Sequence, residues 1–197
     1  MTTSATGAER AGAVPVDGGW SAAATVAYLG RVHERTRRVV TLIPPADIEW
    51  TPRPGWFTLG GLVRHLAGIE RWMYAEHAAG RPDRYPGHGR ELADGYDAVL
   101  AYYDRLHAES VAIFATLDDA ALTRKVATPA GMPISLWKWL RAMLEHEAHH
   151  RGQLYLMLAM RGVTTPPLYG LTAEDVQAHG QRWTGAGGRT DHGGTPA

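Results

Sequence analysis

The sequence predicts an all-α protein built as a four-helix bundle. Three observations lead there. Four long segments carry apolar residues at three- and four-residue spacing, turn-rich breaks of proline and glycine separate them, and strand patterning is nearly absent. A chain of 197 residues suits one domain and can bury a core without disulfide or metal staples. With 45% hydrophobic and 20% charged residues it is neither disordered nor fibrous.

Residues 1–18, rich in Ala, Gly and Thr, read as a flexible N-terminal tail. The bundle domain is expected over 19–183. The first helix is predicted to start after Trp20 with Ser21 as N-cap. It carries Val26, Leu29, Val32, Val39, Val40 and Ile43 and stops at Pro44-Pro45. A loop holding Trp50, Pro52, Pro54 and Trp56 leads to Thr58, which opens a second helix reaching about Ala79. Gly80, Pro82, Pro86, Gly87 and Gly89 form the next loop, and a third helix runs from about Asp94 to Leu117. Residues 118–135 read as a turn or short hairpin, because Lys125–Thr128 is mildly strand-like. The fourth helix runs from near Ser135 to Gly162, a C′ glycine after Arg161. Thr172 and Asp175 form the N-cap and first turn of a short C-terminal helix. Residues 184–197, with five glycines and a proline, read as a second tail.

Composition excludes several functions. Twenty basic and twenty acidic residues cancel, so no global field draws in nucleic acid. The absence of cysteine rules out disulfides, a thiolate nucleophile, thiolate-rich zinc sites and iron–sulfur clusters. The first eighteen residues contain Glu9 and Asp17 and no continuous apolar stretch, unlike a signal peptide. No run reaches the roughly 18–20 apolar residues of a membrane helix. The sequence therefore predicts a soluble, cytoplasmic protein.

Ten histidines are left to carry the chemistry. At about 100° per residue, His146 and His150 lie roughly 40° apart on one face of the fourth helix. Leu136, Trp139, Met143, Leu154 and Met157 share that face, so the pair points into the bundle. Two imidazoles at i and i+4 can hold one metal ion. They can equally be core-edge histidines bonded to a carbonyl or water, and spacing alone leaves both readings open. On the second helix, His65 shares an apolar stripe with Leu62, Ile69 and Trp72, as a third ligand or as a lone core histidine. His33, His77, His107, His88, His179 and His192 are weaker candidates by position.

The run His146-Glu-Ala-His-His150-Arg-Gly-Gln153, followed by residues 154–163 and Pro166-Pro-Leu-Tyr-Gly170, resembles the DinB-like (YfiT-type) metalloprotein superfamily. Leu59-Gly-Gly-Leu-Val-Arg-His65-Leu resembles that family's first ligand motif, about 80 residues upstream. The likeness covers most of residues 20–178. It implies an up-down-down-up bundle and a metal held by His65, His146 and His150. The family is unrelated to the DNA polymerase that shares the label.

Three neutral imidazoles leave a divalent charge uncompensated and coordination positions open, as in catalytic rather than closed structural sites. The resemblance implies a thiol S-transferase, or a thiol-dependent isomerase, using a low-molecular-weight thiol such as bacillithiol or mycothiol. The thiol must come from outside, since the chain has none. Trp56, Trp72, Trp137 and Trp139 are candidates to line an electrophile pocket, and equally plain core. The alternatives are a non-enzymatic metal-dependent binding or stress-associated protein and a metal-dependent hydrolase, with Glu147 the one nearby base candidate, more readily read as a hydrogen-bond partner of a ligand or as a solvated residue, and no catalytic residue assigned. Sulfoxide synthases with a related bundle carry His-x3-His-x-Glu, whereas this chain has Gly152 at that place. Gly152 is expected to let a neighbouring helix approach, Gln153 to orient a water, and Arg151 to lie at the surface. Zinc or nickel is the expected ion, with iron or copper as alternatives. The expected partners are a small thiol, an electrophile and a second copy of the chain, with no nucleic acid and no membrane.

Overall fold

The computed structural model describes residues 21–186, with side chains described to residue 182. The tail expected at 1–18 and most of that expected at 184–197 lie outside the described residues. Two compact units divide the chain, one up to Val163 and one from Thr164 onward.

The first unit holds the four long helices. Helix α1 spans Ala22–Val40, and Ser21 caps it by accepting from the Ala24 amide, as the sequence predicts. It ends before Pro44, and Pro45 opens a single 3-10 turn, Pro45–Asp47. Helix α2 starts at Leu59, with the Thr58 hydroxyl accepting from the Gly61 amide. It continues through a π turn, Glu70–Tyr74, to Ala78. Helix α3 spans Tyr96–Phe114. The 118–135 segment is richer than a turn: α4, Asp119–Thr123, capped by Asp118, precedes the hairpin β1 (Lys125–Ala127) and β2 (Pro133–Ser135). Val126 pairs antiparallel with Ile134. Helix α5 spans Leu136–Met160, and Gly162 beyond it adopts φ +72°, a left-handed conformation costly for any residue with a Cβ.

Helix directions follow from which ends share a core cluster. Ala22 at the start of α1 packs with Tyr74 and Ala75 at the end of α2, Phe114 at the end of α3, and Leu136 at the start of α5. Val39 and Val40 at the end of α1 pack with Leu59 and Leu62, Val99, and Leu154 and Leu158. With α1 pointing up, α2 and α3 point down and α5 points up. This is the up-down-down-up bundle, and it makes the 79–95 connection cross the whole bundle length. That crossing brings residues 85–93 back beside the first turns of α2.

The second unit contains α6, Ala173–Ala186. Thr172 and Asp175 form the reciprocal cap read from the sequence. The Thr172 hydroxyl accepts from the Asp175 amide at 3.1 Å, while Asp175 Oδ2 accepts from the Thr172 amide at 2.9 Å. Among the described residues, no helix is long and apolar enough to cross a membrane.

Candidate metal centre

His65 projects from the second turn of α2, while His146 and His150 stand one turn apart on α5. The bundle brings the three together. Nε2 of His146 lies 3.1 Å from Nε2 of His65 and 3.1 Å from Nε2 of His150. Ligand atoms on a common ion, each bonded at about 2.0–2.1 Å, stand at this kind of separation. The donor set fits a transition metal: three converging ring nitrogens, with the opposite nitrogens of two of the rings already held.

Those opposite nitrogens define the surrounding shell. Tyr85 Oη lies 2.7 Å from His65 Nδ1 and 3.3 Å from His88 Nδ1. Gln153 Oε1 lies 2.7 Å from His150 Nδ1, so that ring nitrogen carries the proton and Nε2 offers its lone pair. Gln153 Nε2 reaches the exposed His149 at 3.1 Å. Tyr85 fits because Gly68, three residues past His65, has no side chain: a Cβ there would stand 3.1 Å from the Tyr85 ring. Phe57, just before the cap of α2, sets its ring 5.1 Å from that of His65, 4.6 Å from His88 and 5.9 Å from His150.

Burial and the neighbouring imidazoles keep the three rings neutral. Burial first, then His150 and His146, lower His65 to about 3. Burial and then His150 lower His146 to about 4. His150 is lowered by burial against the opposing hydrogen bond from Gln153. A lowered value leaves the lone pair available below the ordinary histidine range near 6.5. Metal affinity at this centre is therefore expected to begin falling only below the ordinary histidine value near 6.5, as the lowered rings take up protons. Chelator competition at stepped pH checks this, and loss beginning above that value contradicts it. Tyr85→Phe removes one orienting hydrogen bond and is expected to weaken binding about 10- to 100-fold without unfolding the bundle. The same competition assay at fixed pH reads it.

Several expectations need correction. Gly152 faces open space: a Cβ at this position would meet nothing within 4 Å, so the glycine serves no close helix approach. Arg151 is not at the surface: it is 6% exposed and donates to the Thr36 hydroxyl at 3.1 Å. Gln153 bonds the His150 ring directly. Glu147 is neither solvated nor bonded to a ligand histidine. It is buried, and burial followed by the nearby Glu70 carboxylate pushes it up to about 7. Of the four tryptophans, Trp56 lines the cleft beside the centre. Trp72 stacks between Arg71 and Arg84, Trp139 donates to His77 Nδ1, and Trp137 packs in the lower core. His179 belongs to α6, and His192 lies outside the described residues.

The cleft has a volume of about 650 Å3 and is lined by Trp56, Phe57, Leu156, Met157 and Met160, with Arg53, His88 and Gln153 as polar members. Sequence reasoning missed Tyr85, Phe57 and the role of His88, since their loops carry no periodicity to place them.

Solved structures share this bundle. A DinB-like protein from Bacillus cereus is 18% identical and aligns over 75% of this chain and 97% of its own, with TM-score 0.61. YfiT from Bacillus subtilis, described as "a probable metal-dependent hydrolase with an unusual four-helix bundle topology", is 19% identical over 73% of this chain and 89% of its own, with TM-score 0.58. A mycothiol-dependent maleylpyruvate isomerase is 17% identical over 68% of this chain and 60% of its own, with TM-score 0.55. At these identities the likeness establishes the fold alone. No curated protein matches the sequence significantly. The family model of the DinB superfamily matches residues 28–154, more than half of the chain, and the chain belongs to that superfamily.

Proposed function

We propose that the protein is a metal-dependent transferase that activates a low-molecular-weight thiol for attack on a small electrophile, with the ion on His65, His146 and His150. The observation that carries this reading is the pairing of a donor set of three neutral imidazoles with an apolar cleft. His88 and Gln153 line that cleft and lie within two hydrogen bonds and one hydrogen bond, respectively, of a ligand ring. A divalent ion there supplies Lewis acidity that lowers the pKa of a thiol near neutral pH. Zinc or nickel suits the imidazoles, and iron or copper remains compatible.

The chain's own residues do the rest. Tyr85 and Gln153 fix the ring orientations. Phe57 shields the ligand rings from bulk water, and Trp56, Leu156 and Met160 offer an apolar bed for the electrophile. His88 faces the same cleft and is placed to accept the proton that the thiol gives up as its sulfur bonds to carbon, while that carbon's bond to its leaving group breaks and the group departs with the electron pair. The related isomerase is described as mycothiol-dependent, which supports a small thiol as cosubstrate. The description of YfiT supports hydrolysis as the second reading, with water in place of the thiol. A homodimer is the proposed assembly.

The test is a matrix of cellular thiols against electrophiles, with metal-loaded protein. Metal-dependent acceleration that disappears in His150→Ala supports the transferase. Turnover of esters or amides without thiol favours hydrolysis. A loaded protein that accelerates neither overturns the enzymatic reading.

A further inference from the structure

Deep in the bundle a second group of ligating side chains converges, His33 from α1, Glu70 from α2 and His107 from α3, and Glu147 from α5 lines a small cavity together with Glu70. One ligand atom from each of His33, Glu70 and His107 lies within 4.8 Å of the others. His107 Nδ1 stands 2.9 Å from Glu70 Oε1, and the His33 ring lies parallel on that of His107 with centroids 3.3 Å apart. Glu70 and Glu147 share the wall of a cavity of about 10 Å3, which Tyr103 and His146 also line. Such a volume is about that of one water-sized species. His33, Glu70 and Glu147 are 6%, 8% and 6% exposed.

Two atoms in this group, His33 Nδ1 and Glu147 Oε1, have no hydrogen-bond partner, and an unpaired buried polar atom costs about 1–3 kcal/mol. Two carboxylates facing one small cavity also repel. The surrounding cations are engaged elsewhere: Arg71 with Glu76 and Glu109, and Arg37 with Asp104. Arg151, which favours a charged Glu147, gives its hydrogen bonds to Thr36 and the Val32 carbonyl. Glu70 opens the π turn of α2, and such turns gather at functional sites.

We propose that His33, Glu70, His107 and Glu147 form a second divalent-metal site, closed and buried, separate from the three-histidine centre. Two imidazoles and two carboxylates suit a first-row ion that accepts mixed nitrogen and oxygen donors, such as Mn2+, Fe2+, Co2+ or Zn2+. The two carboxylates cancel the ion's charge, which three imidazoles do not. The first centre is therefore the reactive one, and the second ties all four helices together at one level.

The experiment uses the full chain without a histidine tag, stripped of metal and titrated with Co2+ by equilibrium dialysis. The double variant His65→Ala/His150→Ala removes the first centre. The wild type is expected to bind two equivalents and the double variant one, with Co2+ raising the Tm of the double variant. Adding Glu70→Gln, which keeps an acceptor for His107, is expected to remove that last equivalent and the Tm shift. If that chain does not fold, His33→Gln in the same background takes its place, since His33 Nδ1 has no hydrogen bond to lose. A double variant that folds but binds no Co2+ overturns the proposal, as does one whose binding survives both substitutions. Wild type and double variant each holding the same single equivalent would uphold this site and sink the three-histidine centre.

Discussion

His150→Ala is expected to bind one metal equivalent fewer than the wild type while the bundle stays folded. His150 supplies one of three Nε2 atoms, and its removal leaves His65 and His146 as a two-point contact. Binding energies of about 10–16 kcal/mol over four ligands make each ligand worth about 3 kcal/mol. That corresponds to a loss in affinity of roughly 100-fold or more. The fold should survive because core layers on either side, Leu136, Leu140 and Met143 below and Leu154 and Leu158 above, hold α5 in place. Chelator competition measures the affinity and circular dichroism the fold. Unchanged affinity in a folded variant would remove His150 from the centre.

Arg64→Ala is expected to be the most destabilising single change near the site. Arg64 precedes His65 and is 1% exposed, yet its guanidinium meets four acceptors. It donates to Glu49 Oε1 at 2.8 Å and Oε2 at 3.0 Å, to the His88 carbonyl at 3.0 Å and to the Ala93 carbonyl at 2.8 Å. Truncation strands a carboxylate and two carbonyls, a loss of about 3–5 kcal/mol for a broken buried pair. In a chain of this size that lowers Tm by roughly 10 °C. Arg64→Lys is not expected to rescue it, because one ammonium cannot reproduce the planar fork. The same bonds hold the 85–93 crossing against α2, so metal affinity should fall along with Tm as Tyr85 loses its position. Thermal melts with and without metal read both effects. A wild-type Tm in Arg64→Ala contradicts this role for the guanidinium in anchoring the loop.

How much of this was legible in the sequence depends on periodicity. The helices follow from apolar spacing, and Ser21, Thr58 and Gly162 mark their ends by chemistry that a sequence displays openly. His146 and His150 read as one face because a single helix fixes their angle. His65 could be drawn toward them only through a resemblance, since nothing local says which helices touch. The loop residues were beyond reach for a different reason. Tyr85 and His88 meet His65 because Gly68 leaves room and Arg64 anchors the crossing, both tertiary facts. Arg151 and Glu147 misled because charged residues are rarely buried. Their wheel positions, on the flank facing α1, were the signal available. The π turn at Glu70–Tyr74 has no sequence signature at all, and it begins at the residue that joins His107 in the second cluster.

The central claim is that His65, His146 and His150 hold an ion with a coordination position open to the cleft. Visible absorption of the Co2+-loaded protein, recorded before and after addition of a low-molecular-weight thiol, tests it most directly. A new thiol-dependent charge-transfer band is expected in the wild type and not in His150→Ala. A spectrum that the thiol leaves unchanged, with cobalt bound, would contradict the claim.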